Sequence, residues 1–421
     1  MIIFVGFVVV AWLCAGLLVG QALRYRARLR AAEAEDAAPT YTPKATVIAP
    51  CKGLDAAFEA NILALLRQDY PDYEVIFVTA SRDEPAYARL APLVQRYPGR
   101  ACLTAAGPAR GRSQKVHNQL HALQLAAATS EAFVFVDSDG RSNARLLRHL
   151  VAPLADAGVG AATGYRWFTP ARRGLLPLLS VLWGALVAPA QADSRFAQLW
   201  GGAMAIRREY FEALAVAQAW TGASTDDDAL TRVVRRAGLS IVLAPQCYVL
   251  SAGAGSWREF MAWGMRQLLL MRIYLPGMWW LGLGMTAITA LTPVVGLAIT
   301  GVALIAAPGL LVWGLLLLGA GLGLPLSSAI AVRSTERLLN RAPRAIHSQT
   351  FEVCDTSQVS PMPETSGQAI PRLAWPYFLA GLPGAWVFWA HFIRSSLTRR
   401  VVWQGVTYEL LGPERTVVVD G

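Results

Sequence analysis

Three acidic clusters and a few basic residues carry the chemistry open to this 421-residue chain. Asp137-Ser138-Asp139-Gly140 follows an apolar run of strand character, 132–136. Two carboxylates spaced i, i+2 at a strand end can hold a hard divalent cation. Mg²⁺ favours one or two carboxylates plus phosphate oxygens over an all-protein cage. Asp-Gly is also ordinary turn chemistry, so that alternative stays open. Thr225-Asp226-Asp227-Asp228 opens a predicted helix that continues to Arg236. Thr and Asp suit a helix start and its dipole, yet three adjacent acids exceed what a cap needs. Packed like charges raise a carboxylate's pKa, which suits a general base. Arg266 lies in Trp263-Gly264-Met265-Arg266-Gln267. Turned inward, its planar fork would suit a diphosphate; turned outward, it would snorkel to lipid headgroups.

These residues need a frame. Between 44 and 255 short β-branched runs (Thr46–Ala49, Glu74–Thr79, Phe133–Val136, Ile241–Leu243) alternate with helical stretches near 55–68, 85–97, 114–128 and 143–155. That alternation predicts an α/β domain, a mostly parallel sheet with helices on both faces. Ligands of such sheets bind beyond the carboxyl ends of the strands. The residues just after each strand therefore matter most: Pro50-Cys51-Lys52-Gly53, Ala80-Ser81-Arg82-Asp83-Glu84 and the Asp137 turn.

The composition places this domain at a membrane. The hydrophobic fraction is 54% and the charged fraction 16%, against about 25% charged in soluble domains. Mean hydropathy is +0.38. Residues 1–22 are apolar and precede Arg24, Arg26, Arg28 and Arg30. A signal peptide has its positive charge before the apolar run, so this reads as an uncleaved anchor over 1–30 with the following domain, 31–256, in the cytoplasm. Residues 257–276 read as an amphipathic helix at the membrane surface. Within 277–332 the stretch from about 279 to 331 is uncharged and long enough for two spans, turning at Ala306–Gly309. Residues 333–372 read as a polar cytoplasmic loop. The apolar stretch 373–393 reads as a re-entrant hairpin or a third span, followed by a tail to 421. The run 174–192 contains Pro177 and Pro189. A crossing there would put the acidic motifs on opposite sides of the bilayer, so it reads as a buried or interfacial helix.

Net charge is +10, but no basic stripe with interleaved aromatics exists, so no nucleic acid is expected. Five cysteines show neither metal spacing nor pairing. His117 and His121 share a helix face, but without an acidic or Cys partner nearby they read as surface or packing residues. The Trp-rich pieces, Trp279-Trp280 and Trp375, Trp386 and Trp389, read as interfacial belts.

Taken together and in order, the motifs carry a resemblance. Lys52-Gly53-Leu54-Asp55, Gln68-Asp69-Tyr70-Pro71-Asp72-Tyr73-Glu74-Val75, Lys115-Val116-His117-Asn118, Gly201-Gly202-Ala203-Met204-Ala205-Ile206-Arg207 and Trp403-Gln404-Gly405-Val406-Thr407-Tyr408 join the acidic motifs and Arg266. The chain resembles membrane-bound family-2-type inverting glycosyltransferases, and within them the ceramide glucosyltransferase branch; hopanoid-associated transferases are similar. The likeness runs from about 45 to 276. It implies a nucleotide-sugar-binding GT-A-like sheet and a UDP-sugar donor, UDP-glucose first. By residue, Asp83 would meet the uridine, with Glu84 second in line. Asp137 and Asp139 would hold the donor and its Mg²⁺ or Mn²⁺. Asp227 would be the base, and Arg266 would stabilise the departing diphosphate. Lys52 and Lys115 would line the nucleotide pocket. The family's arginine motif reads Gln/Arg-x-x-Arg-Trp, whereas here the outer positions are Trp263 and Gln267.

The acceptor implied is a membrane lipid, ceramide or a hopanoid-type alcohol. The Arg-over-Lys bias suggests a bacterial source and hence an inner membrane. A processive polysaccharide synthase is the rival enzyme, disfavoured by few spans and the altered arginine motif. A non-catalytic membrane scaffold is the rival from another class.

Overall fold

The structure is a computed structural model that describes residues 2–34, 39–54, 57–169, 174–341, 375–403 and 406–420. Asp55, Gln404, Gly405 and residues 342–372 of the polar stretch lie outside the described residues.

Seven strands build the central sheet: β1 (Ala45–Pro50), β2 (Tyr73–Thr79), β3 (Ala101–Ala105), β4 (Ala132–Val136), β5 (Val159–Thr169), β6 (Ala203–Arg207) and β7 (Ser240–Ala252). Their order is β3-β2-β1-β4-β6-β5-β7. All pairs are parallel except those made by β6, which runs antiparallel to both β4 and β5. The fold is GT-A-like. The four strands anticipated from β-branched runs are present. Three were not anticipated as strands from their residue pattern, because β3, β5 and β6 are rich in Ala and Gly.

Residue alternation explains why both faces are covered. Val47, Val75, Phe77, Val134 and Val136 point to one face. There they meet α2 (Phe58–Leu66), α3 (Pro85–Gln95) and α5 (Leu146–Val151). Ile48, Ile76, Val78, Phe133 and Phe135 point to the other. This face is covered by α4 (Gln114–Leu123), α7 (Arg208–Ala213), α8 (Val216–Ala219) and α9 (Asp226–Arg236). Period-two side chains, apolar on both faces, are what a buried parallel strand requires.

Among the described residues, three helical segments are long and apolar enough to cross a membrane: Ile2–Ala34, Pro276–Ile305 and Pro308–Asn340. The first is α1 and the second is α11; the third comprises a short 3₁₀ turn, α12 (Leu311–Gly321) and α13 (Gly323–Arg341). The stretch expected as a hairpin or span over 373–393 is one continuous helix, α14 (Trp375–Ser396), with Pro383 inside it. The run 174–192 forms α6 (Leu175–Gln191), largely buried. It packs with α1, α13, α14 and the long ends of β5 and β7 around Trp167, Trp183, Tyr248 and Phe388. Tyr25 of α1 ties this junction together, with its hydroxyl 2.7 Å from that of Tyr248 and 2.6 Å from Thr335 Oγ1.

Helix α10 (Trp257–Tyr274) lies between sheet and bundle. Ser256 Oγ accepts the Glu259 N–H, and the Glu259 carboxylate accepts the Gly255 N–H. That reciprocal cap fixes where α10 starts, and so where Arg266 falls.

Candidate active site

A cavity of about 440 Å³ opens at the carboxyl ends of the strands. Its lining combines Lys52, Lys115, Asp137, Asp139 and Asp226–Asp228 with the apolar side chains of Phe168, Trp183, Val187, Trp263 and Met271, and those five belong to the cluster that joins the sheet to the membrane helices. The acidic motifs, far apart in sequence, meet here. Lys115 Nζ stands 2.8 Å from Asp137 Oδ1 and 3.1 Å from Asp226 Oδ2, and donates to the Gly201 carbonyl at 3.1 Å. Each contact follows from local structure. Ser113 caps α4 and sets Lys115 in its first turn. Asp137 is the first residue past β4, its N–H on the Gly202 carbonyl.

The helix-cap reading of Thr225–Asp228 gives way to another arrangement. No side chain caps α9; the Thr225 hydroxyl donates to Asp227 Oδ1 instead. Asp227 Oδ1 also accepts the Asp228 N–H at 2.9 Å, and Oδ2 accepts the Gly201 N–H at 2.8 Å. Asp226 is buried and takes Gln119 Nε2 at 2.7 Å. Burial pushes the Asp226 carboxyl up, Lys115 pulls it back, and the charges of Asp227 and Asp137 push it up again, to about 6. Burial works to lower the Lys115 ammonium, but the Asp137, Asp226 and Asp227 carboxylates outweigh it and hold the group charged. The Asp228 carboxyl is pushed well up by burial, then by Asp227 and Asp226.

Arg266 lines the same cavity. Burial and the charge of Arg166 disfavour its guanidinium, while Asp137 favours it; a guanidinium stays charged regardless. Lys52 lines the cavity as well. Asp83 does not: it is exposed in the turn after β2, its N–H on Ser81 Oγ. Trp263 and Gln267 both reach the cavity. Trp263 packs edge-on against Phe168 and Trp183, with ring centroids 5.2 and 4.8 Å away. Among the described residues no three His, Cys, Asp or Glu side chains converge as a metal cage. Asp137 and Asp139 both line the cavity; two carboxylates beside phosphate oxygens are a donor set that would suit Mg²⁺ or Mn²⁺.

Sequence reasoning missed Arg166, Trp200 and, as a pocket residue, Tyr408, all of which line the cavity. Arg166 did leave a signal, a lone charge in the otherwise uncharged run 157–170. Tyr408 belongs to a second sheet, an antiparallel meander of β8 (Arg400–Trp403), β9 (Val406–Gly412) and β10 (Arg415–Asp420). Val401, Tyr408 and Leu410 pack on Leu269 of α10. Thr416 Oγ1 donates to the Gly222 carbonyl at 2.9 Å, and Arg232 pairs with Glu414 at 3.5 Å. The meander thus braces α9, whose first turn carries the three acids, and the loop that leads into it. A Cβ on Gly222 would fall on the Glu414 carbonyl oxygen. Gly222→Ala is therefore expected to lower stability by about 1–3 kcal/mol and to slow turnover. Thermal unfolding alongside kcat checks this; an unchanged melting temperature would refute the bracing.

A mostly parallel sheet with carboxylates and cations gathered in one pocket at its strand ends suits a nucleotide-sugar-dependent glycosyltransferase. The chain belongs to glycosyl transferase family 21, whose model matches residues 6–336. No curated protein matches the sequence significantly. Solved structures that it resembles include the mannosyltransferase PcManGT from Pyrobaculum calidifontis in complex with GDP-Man and Mn²⁺. That likeness has 21% identity and a TM-score of 0.46, covering 93% of this chain and 98% of that one. Another is glucosyl-3-phosphoglycerate synthase from Mycobacterium tuberculosis, at 18% identity and a TM-score of 0.37, covering 59% of this chain and 82% of that one.

Proposed function

We propose that this protein moves a hexose, with inversion, from a UDP-sugar to the primary hydroxyl of a membrane lipid. UDP-glucose is the favoured donor and ceramide the favoured acceptor, giving a glycosphingolipid; a hopanoid or other lipid alcohol taking N-acetylglucosamine is the second choice. The observation that carries this is the mixed lining of the cavity: cations and carboxylates, and with them an apolar wall of α6 and α10 residues that packs in one cluster with the membrane helices. A lipid acceptor is the substrate for which such a wall makes sense. Arg24, Arg26, Arg28 and Arg30 in the second half of α1, and Arg333 and Arg337 on α13, support a cytoplasmic catalytic face, in our reading at a bacterial inner membrane.

In this reading Asp227 takes the proton from the acceptor hydroxyl as its oxygen attacks the anomeric carbon. The bond from that carbon to the diphosphate breaks, and the electron pair leaves with UDP. Arg266 and Lys115 face the developing negative charge, where fixed cations in a water-poor pocket act most strongly. A Mg²⁺ or Mn²⁺ held by Asp137 and Asp139 would add further neutralisation of the diphosphate. Asp83, outside the cavity, remains a candidate for the base end of the donor.

The test is incubation of purified protein with several UDP-sugars, Mg²⁺ or Mn²⁺, and ceramide or hopanoid acceptors, with products read by mass spectrometry. A glycosylated lipid is expected. Chelation by EDTA is expected to suppress it and added Mn²⁺ to restore it. Asp139→Asn is expected to raise the metal concentration for half-maximal rate about tenfold or more. Full turnover in EDTA would refute the metal assignment, and absence of any lipid product would refute the acceptor class.

A further inference from the structure

Arg166 is the cavity's unassigned cation. It lies on β5, and its Nη2 is 3.8 Å from Asp139 Oδ2. Its guanidinium carbon is 5.4 Å from the ring centroid of Trp200, another cavity residue. Its Nε is buried and has no hydrogen-bond partner among the described residues. It is also close enough to Arg266 to disfavour that residue's charge. Two guanidiniums that face one cavity repel each other, and a buried N–H without an acceptor is costly. An anion with several acceptor oxygens relieves both. A planar fork resting on an aromatic face is already oriented to meet phosphate oxygens.

We infer that Arg166 is a second diphosphate-binding residue, exchanging Asp139 for a phosphate oxygen when a nucleoside diphosphate enters. This rests on the nucleotide-sugar reading above and deepens it. It also gives Asp139 two alternative partners, Arg166 and a divalent cation. Arg166 would then withdraw from Asp139 as phosphate arrives, leaving that carboxylate to the cation. Nucleotide and cation would favour each other's binding.

The experiment uses the full-length protein in detergent and two probes, UDP and uridine. Calorimetry is expected to show UDP binding weakened about 10- to 100-fold in Arg166→Ala, with uridine binding unchanged. Arg166→Lys, which keeps the charge and loses the fork, is expected to fall between. A second readout is Mn²⁺ binding without nucleotide, followed by electron paramagnetic resonance. There Arg166→Ala is expected to bind about two- to fivefold more tightly, since the partly exposed ion pair it removes is weak. Opposite signs for the two ligands cannot come from a merely damaged fold. UDP affinity unchanged in both variants, or UDP and uridine weakened alike, would overturn the inference while leaving the function standing. Mn²⁺ affinity unchanged would overturn the exchange with Asp139. Failure of the wild-type protein to bind UDP would overturn the donor reading and this inference with it.

Discussion

Asp227→Asn is expected to lower kcat about 10²- to 10⁴-fold, the range that positioned proton transfer contributes, and to leave UDP affinity within a few-fold of wild type. Three adjacent carboxylates compete for the role of base, and their surroundings separate them. Asp226 is committed to Lys115 and Gln119 and is buried. Asp228 has its carboxyl pushed well up by burial and by its two acidic neighbours, which favours the already protonated form over the carboxylate that a base must be. Asp227 lines the cavity and is held in place by the N–H groups of Gly201 and Asp228. Asp228→Asn is the matched control and is expected to cost less than about tenfold. Single-turnover rates for both variants, with UDP titrations beside them, decide the matter. If Asp228→Asn is the inactive one, the base is assigned to the wrong residue.

The second large effect is expected from Lys115→Met, in stability as well as turnover. Its ammonium is the shared counter-charge of Asp137 and Asp226, and the Asp226 side chain is only 1% exposed. Breaking a buried pair by removing one partner costs about 3–5 kcal/mol, because the other charge is left uncompensated. The loss should depend on pH in a definite direction. Burial raises the folded-state pKa of Asp226 from its ordinary 3.8 to about 6 even with Lys115 beside it. Between those values the folded protein holds a proton that the unfolded chain has released, so this group's contribution to stability falls as pH rises through that window. Without Lys115 only the Gln119 hydrogen bond opposes the raising influences, and the window extends upward. The deficit of Lys115→Met relative to wild type should therefore be larger at about pH 8 than at about pH 5. Adding Asp226→Asn should recover part of it, as coupled residues do in a double-mutant cycle. Thermal unfolding in detergent at the two pH values checks this, and equal deficits would reject the pairing as the cause.

Much of the site could be read before the fold was known. Asp137, Asp139 and Lys52 are legible because they follow apolar strands, a signal that lies within a few residues, whereas Lys115 enters only through the family resemblance of Lys115-Val116-His117-Asn118. Arg266 was legible from a charged residue in an amphipathic helix. The sharing of Lys115 between Asp137 and Asp226 was not, because nothing near residue 115 specifies what folds over it. Asp83 shows the converse, since a motif at a strand end lies outside the cavity when the next turn carries it away. Nothing local marks the meander that holds Tyr408 against the pocket, because its packing partner, Leu269, is far away in the chain.

By itself the sequence determined the alternation of strand and helix, the apolar segments and the inventory of acids and cations, because period-two and helical patterning are properties of neighbours. The tertiary structure decided which of those groups share one pocket. It set β6 antiparallel between β4 and β5, brought Gly201 under both Lys115 and Asp227, and aimed Arg166 at Asp139. Those outcomes depend on long-range burial of apolar faces and on compensation of buried charge, which act between residues distant along the chain.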